Sequence, residues 1–221
     1  MVNRLALSHF RNYSAEMKYQ NITGVILAGG QSRRMKTGDK AFAELYGKPL
    51  VEYAIENLTA QVGNIIISAN QSIDRFSKYG VSVLPDYIGN HYGPLAGIYS
   101  ASLACKTDYI LAVPCDTPFA PGDLAIRTLE KLTLHNAELC MAYDGNRIHP
   151  VFMLLRRELA PSILEYLYAG NRKTADWAMS HRYVVADFSD HAGAFININT
   201  PQELDDIDNS KYLFRAGEKK G

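Results

Sequence analysis

What the chain lacks narrows it first. Neither charge is in excess, because 23 Lys and Arg residues balance 23 Asp and Glu residues. No global basic field therefore draws it to DNA, RNA or an anionic membrane, and any polyanion has to be met locally. No apolar run approaches the ~20 residues that span a bilayer. The apolar patch in residues 1–11 is interrupted by Asn3, Ser8, His9 and Arg11 and makes a poor signal peptide. Cysteine is scarce: Cys105, Cys115 and Cys140 are an odd number without C-x-x-C spacing. That argues for reduced thiols in a cytosolic protein, packed as small buried hydrophobes. There is no G-x-x-x-x-G-K-[ST] and no G-x-G-x-x-G, so neither a P-loop NTPase nor a dinucleotide-binding dehydrogenase is supported. The one tryptophan, Trp177, is expected as a core anchor rather than a stacking platform.

What is present begins with residues 27–40, LAGGQSRRMKTGDK, directly after the apolar run ITGVIL at 22–27. A buried strand delivers a loop whose small residues let backbone N–H groups approach an anion, while Arg33, Arg34 and Lys40 supply positive charge. A bare Gly-Gly after a strand is as readily a plain turn. The arginines and the later Asp39-Lys40 turn the balance towards a triphosphate-binding loop.

The 221 residues suit one α/β domain. Downstream of the loop, strand-like and helix-like stretches alternate. Pro49 opens a helix over 50–58, residues 64–69 form a β-branched strand, a short helix covers 73–78, and 81–84 is again a strand. Pro94 starts a helix through Ala104, and 109–113 is the next buried strand. This order predicts a mostly parallel sheet with helices on both faces, whose ligands collect beyond the carboxyl ends of the strands. Those ends carry the glycine loop, Ser68 and Asn70, Asp86, and Asp116. Asp116 could hold Mg²⁺, which takes one or two protein carboxylates, or could cap the turn between Pro114 and Pro118. Asp86 reads first as turn chemistry. His91 and His149 are candidate ligands but lack partners at metal-ligand spacing.

The second half changes character. Residues 138–143 and 147–154 read as a hairpin around Asp144-Gly145-Asn146. Helices are expected over 161–168 and from Thr174, separated by a basic junction at Arg172-Lys173, which is a solvated turn or a second anion site. Residues 195–199 alternate as a strand would, with Phe195, Asn197 and Asn199 on one face and Ile196 and Ile198 on the other. Thr200-Pro201-Gln202-Glu203 is a capping box with proline at the first helical position.

The motifs LAGGQSRRM, Asp39-Lys40, GPLAG at 93–97, PCDTP at 114–118, His149-Pro150 and NINTP at 197–201 together resemble the successive motifs of the molybdenum cofactor guanylyltransferases. They follow in that family's order over about residues 21–208. The resemblance implies an α/β fold, a Rossmann-like three-layer sandwich with a mostly parallel sheet and a smaller mixed acceptor-side region. It implies a single nucleotidylyltransferase domain over 21–210, with a nucleotide half at about 21–120 and an acceptor half at about 121–210. Residues 1–20 would be a disordered extension, in which Met17 is an alternative start, and 211–221 a flexible tail.

The implied activity is transfer of GMP from GTP to the phosphate of Mo-molybdopterin, with Mg²⁺ as cofactor and pyrophosphate as by-product. By the same resemblance Leu27, Ala28 and Gly29 hold the nucleotide through their backbone, and Lys40 binds its phosphates with help from Arg34. Asp86 binds the guanosine part, Asp116 holds Mg²⁺, and Asn197 and Asn199 lie on the pterin side. Ser68 departs from the family, which has a nucleotide-contacting asparagine there, so that contact is weakened or moves to Asn70. Lys36 replaces a glycine. The implied setting is a cytoplasmic monomer in contact with molybdenum-insertion proteins and molybdoenzyme maturation chaperones, without nucleic acid or membrane partners.

The chemistry agrees with the residues. A phosphate monoester is already an ionised nucleophile near neutral pH, its second pKa being about 6, so no strong general base is required and no Ser-His-Asp or Cys-His set is expected. Positioning and charge neutralisation suffice. Alternatives are a nucleotidylyltransferase using CTP or a sugar-phosphate acceptor, a nucleotide-binding regulator without turnover, and a structural interaction protein.

Overall fold

The computed structural model describes residues 19–29, 39–89, 92–191 and 193–208. Arg33, Arg34, Lys36, His91, residues 1–18 of the extension and the tail lie outside them.

Strands β1 (Ile22–Leu27), β4 (Asn64–Ser68), β5 (Ser82–Leu84), β6 (Tyr109–Pro114), β7 (Leu139–Tyr143), β8 (Ile148–Arg156) and β9 (Tyr183–Asp187) form one sheet in the order β5-β4-β1-β6-β8-β7-β9. All neighbours are parallel except β8, which runs antiparallel to both β6 and β7. The expected mostly parallel sheet is therefore what forms. The β7–β8 hairpin turns at Asp144, whose Oδ1 accepts the N–H groups of Asn146 and Arg147, each at 2.8 Å. Strand β9 and the helix over Leu124–Leu134 are absent from the sequence reading: the first is a parallel edge strand with little alternation, the second a helix that buries one face only.

Period-two alternation divides the strand side chains between two apolar layers. One layer holds Ile22 and Ile26 of β1 with Leu111 and Val113 of β6, under α1 (Leu50–Thr59), α2 (Ile73–Ser77) and α4 (Leu124–Leu134). The other holds Val25, Ile110 and Ala112, under α3 (Pro94–Ala104), α5 (Ala160–Tyr168) and α6 (Thr174–Met179). Helix α3 is buried along most of its length, as befits a helix covering the centre of the sheet. Trp177 is 1 % exposed and anchors the second layer, as its scarcity suggested.

A two-stranded ribbon, β2 (Glu44–Leu45) with β3 (Lys48–Pro49), precedes α1. Its turn residues Tyr46 and Gly47 both have positive φ, 54° and 75°, the geometry of a tight hairpin turn. Leu45 and Leu50 pack with Ile198, Leu204 and Ile207, which brings residues 193–208 back beside the start of the fold.

Residues 195–199 are not a strand. Phe195 and Ile198 are buried while Ile196 is half exposed, so the expected alternation does not hold. The segment is extended but irregular because it docks on a loop rather than on a strand: Ile198 N–H donates to Asp116 C=O at 2.9 Å. The capping box does form. Glu203 N–H donates to Thr200 Oγ1 at 3.2 Å, and Glu203 Oε2 accepts the N–H groups of Asn199 and Thr200 at 2.6 and 3.3 Å.

Candidate active site

Because β1, β4, β5 and β6 are parallel, their carboxyl ends open on one rim. Backbone bonds fix the relative heights of those ends. Ala28 N–H donates to Ser68 C=O at 2.9 Å, Ala69 N–H to Leu84 C=O at 3.0 Å and Cys115 N–H to Leu27 C=O at 3.2 Å. The rim encloses a cavity of about 480 Å³ whose lining includes Leu27, Gly29, Ser68, Asp86, Asp116 and Asn197. Ala28, just after β1, is buried. Gly93, Pro94 and Gly97 of the α3 entrance also line this cavity. The G-P that opens α3 marked the helix start in the sequence but gave no sign that the start faces a ligand-sized space.

Asp86 is held by two neighbours. Ser68 Oγ donates to its Oδ1 at 3.0 Å and Asn70 Nδ2 to its Oδ2 at 2.7 Å, while Asp86 N–H donates back to Asn70 Oδ1 at 2.8 Å. Both carboxylate oxygens are thus occupied by the end of β4, and neither closes a local turn. Ser68 is 2 % exposed, so in this chain the hydroxyl acts from beneath the carboxylate and Asn70 supplies the amide. Gly97 makes room for this arrangement: a Cβ there would sit 2.4 Å from Ser68 Oγ and 2.8 Å from Leu27 Cδ2.

Across the cavity, Asp39 ends the loop by capping a 3-10 turn over Lys40–Phe42, its Oδ1 accepting Ala41 N–H at 3.2 Å. The turn aims Lys40 at the β6 end, where its ammonium pairs with Asp116 Oδ2 and donates to Asn199 Oδ1 at 2.8 Å. One cation thereby gathers residues from three distant parts of the chain. Among the described residues Asp116 makes no side-chain turn bond, and its buried Oδ1 has no hydrogen-bond partner. An unpartnered buried carboxylate oxygen is costly, and a bound cation is one arrangement that relieves the cost. That oxygen, beside the ammonium, suits a hard divalent ion that takes one protein carboxylate and phosphate oxygens. Among the described residues no group of three or more His, Cys, Asp or Glu side chains could form a closed metal cage. The adjacent Cys115 thiol is pushed far above its ordinary pKa by burial first and by Asp116 second, so it stays protonated and takes no part.

A second cavity of about 390 Å³ adjoins the first and shares Pro114, Val151 and Asn197 with it. Arg147, His149 and Asn199 complete its polar lining. Strand β8 bends to make room: Ala142 pairs with His149 but Met141 pairs with Met153, so Pro150, Val151 and Phe152 face no β7 residue. Proline, with no N–H to donate to a ladder, is at home in such a bulge. Asn197 lines both cavities and Asn199 the second, although the strand that was to hold them is absent. Arg147 and Phe152 went unnoticed in the sequence, because a hairpin arm carries no local sign of which residues line a cleft.

The arginine of the basic junction is engaged within the protein. Arg172 lies over the Tyr92 ring at 4.0 Å and donates to Leu167 C=O at 2.8 Å. Lys173 is exposed with Asp176 3.8 Å away. All three cysteines are free and buried, and burial pushes the Cys140 thiol up to about 12. No helix among the described residues is long and apolar enough to cross a membrane.

Comparison with known proteins is consistent with this geometry. Residues 24–184 match the family model described as the MobA-like NTP transferase domain. A molybdenum cofactor guanylyltransferase of Shewanella pealeana is 46 % identical over 182 residues, 82 % of this chain and 91 % of the relative. Among solved structures, molybdopterin-guanine dinucleotide biosynthesis protein A from Archaeoglobus fulgidus superposes with a TM-score of 0.72 at 19 % identity, covering 86 % of this chain and 99 % of the other. A CMP:2-keto-3-deoxy-manno-octonic acid synthetase solved with CTP gives a TM-score of 0.67 at 12 % identity, over 87 % of this chain and 98 % of the other. At these identities both structures establish the fold alone.

Proposed function

The chain belongs to the molybdenum cofactor guanylyltransferases, within the MobA-like NTP transferases, and on that premise we propose that its two cavities are the two substrate sites of one reaction. In that reaction the phosphate of Mo-molybdopterin displaces pyrophosphate from GTP. A phosphate oxygen of the acceptor bonds to the α-phosphorus, the bond from that phosphorus to the bridging oxygen breaks, and the electron pair leaves with pyrophosphate. The observation that carries the reading is that Lys40 bonds both Asp116, which lines the first cavity, and Asn199, which lines the second.

The cavity above β1, β4 and β5 takes the nucleotide. Leu27, Ala28 and Gly29 offer it backbone, and Asp86, oriented by Ser68 and Asn70, receives donors of the guanosine part. Lys40 neutralises charge on the phosphates, with Arg34 assigned the same task from the loop. Asp116 would hold Mg²⁺ through its unpartnered oxygen. When bound, the ion supplies further neutralisation of phosphate charge. Asn197 and Asn199 border the second cavity and serve the acceptor. No residue has to remove a proton from the nucleophile, because a phosphate monoester is ionised near neutral pH. The remaining work is alignment of two anions that repel each other, done by one lysine and one metal-binding carboxylate at the junction.

The reading includes a cytoplasmic monomer that receives its acceptor from molybdenum-insertion proteins and passes product to maturation chaperones of molybdoenzymes. A pyrophosphate-release assay with GTP, Mg²⁺ and Mo-molybdopterin, run beside CTP and beside a sugar phosphate, tests base, acceptor and reaction together. Release with GTP and the pterin alone is expected. Release with CTP in preference, or GTP binding without release, overturns the proposal.

A further inference from the structure

His149 is 8 % exposed, yet it borders the second cavity. Its ring is fixed from several sides. One face stacks on Phe195, with centroids 4.6 Å apart and planes 19° from parallel, and Phe152 meets it edge-on at 6.2 Å. Its Nε2 lies 2.8 Å from Asp144 Oδ2. The Asp144 carboxyl is held well below the usual carboxylate range, by the N–H of Arg147 first and then by His149 and the N–H of Asn146. An ionised carboxylate only accepts, so Nε2 carries the proton. The hairpin turn does not need this histidine, since Asp144 Oδ1 already closes it with the Asn146 and Arg147 N–H groups. Among the described residues Nδ1 has no hydrogen-bond partner. A ring so fixed has Nε2 committed to Asp144 and leaves Nδ1 as the nitrogen that can meet a ligand, as in a carboxylate–histidine pair.

The position of the ring says what it would meet. The acceptor's phosphate has to reach the junction at Lys40 and Asp116, so the rest of the acceptor extends past Asn197 into the second cavity, whose far side is the β7–β8 turn. Resting on the guanylyltransfer reading, we propose that His149 Nδ1 takes a hydrogen bond from a ring N–H of the acceptor's heterocycle. Asp144 acts through it as the positioning residue that fixes the tautomer.

The test compares wild type with His149→Phe, which keeps a stacked ring on Phe195 but removes both nitrogens. A second variant, Asp144→Asn, offers Nε2 a donor and so moves the imidazole proton to Nδ1. Steady-state kinetics with Mo-molybdopterin and GTP, with GTP affinity by calorimetry and a thermal melt as controls of folding, should show KM for the acceptor raised about tenfold in both variants, the worth of one hydrogen bond. KM for GTP should stay at the wild-type value. An unchanged acceptor KM in His149→Phe, or an equal loss of GTP affinity, overturns the inference and leaves His149 as packing. Absence of turnover in the wild type overturns the guanylyltransfer reading itself, which normal wild-type turnover beside an unaffected variant would leave standing.

Discussion

Replacing Gly97 with alanine probes how the floor of the nucleotide cavity is built. The added Cβ would lie 2.4 Å from Ser68 Oγ, 2.8 Å from Leu27 Cδ2 and 3.0 Å from Ser68 Cβ. Ordinary contact begins near 3.4 Å, so Ser68 has to move by about an ångström, and its 3.0 Å bond to Asp86 goes with it. Overpacking costs about 1–3 kcal/mol, and a buried hydroxyl left unpaired about as much again. A loss of about 2–6 kcal/mol follows, or roughly 4–24 °C in Tm for a domain of this size. Asp86, then held by Asn70 alone, should bind GTP roughly tenfold more weakly, since one hydrogen bond is worth about 1 kcal/mol or slightly more. Differential scanning calorimetry and GTP titration read the two effects separately. Adding Ser68→Ala to Gly97→Ala removes the closest clash and should recover part of the stability but not the GTP affinity. A Gly97→Ala protein that melts with wild type and binds GTP normally would refute the packing argument, and recovery of both properties in the double variant would refute the link from Ser68 to Asp86.

Four further outcomes are expected. Asp116→Ala should lower kcat by about 10²–10³-fold, the scale of losing one centre of charge stabilisation, while Lys40→Ala lowers kcat/KM for GTP; near-normal turnover of the first at saturating Mg²⁺ would sink its assignment. The lowered pKa of Asp144 makes its contribution to stability complete above the unfolded value of about 3.9 and lost as pH falls towards the folded one. Urea melts from neutral to acid pH should therefore show a shallower acid loss in Asp144→Asn, and a slope equal to wild type would contradict the hydrogen bonds described. Glu203→Ala removes the bonds that hold Asn199 N–H and Thr200 N–H; it should cost about 1 kcal/mol and raise KM for the acceptor, and an unaltered KM would mean that Asn199 is placed by Lys40 alone.

Much of the site was legible because strand ends in a parallel sheet are also chain positions. Buried strands are short apolar runs, so the residues that follow them, Gly29, Ser68, Asp86 and Asp116, could be placed on one rim before any coordinates were known. The capping box was legible for the same reason, since its donors and acceptors lie within four residues. Residues 195–199 show the limit. Their alternation suggested a strand, but pairing requires a neighbour with free backbone groups, and the neighbour is the loop at Asp116, which offers a single carbonyl. Arg147 was beyond reach for a related reason, and His149 was legible only as a candidate ligand and a motif residue without its partner: which side of a hairpin arm faces a cleft depends on the bulge at Pro150, a property of two strands together.

The sequence by itself determined the order of strands and helices from β1 to β6, the β7–β8 hairpin and the family to which the chain belongs, because apolar periodicity, proline placement and motif order are local properties of a chain. The tertiary structure alone decided which of the polar residues meet. Lys40, Asp116 and Asn199 are separated by 76 and 83 positions, yet one ammonium pairs with one and donates to the other. Ser68 and Asn70 turn Asp86 from a turn residue into an oriented carboxylate, and Asp144 turns His149 from a lone histidine into a fixed one. Such pairings depend on where strands end in space, and only the closed sheet with its covering helices sets those distances.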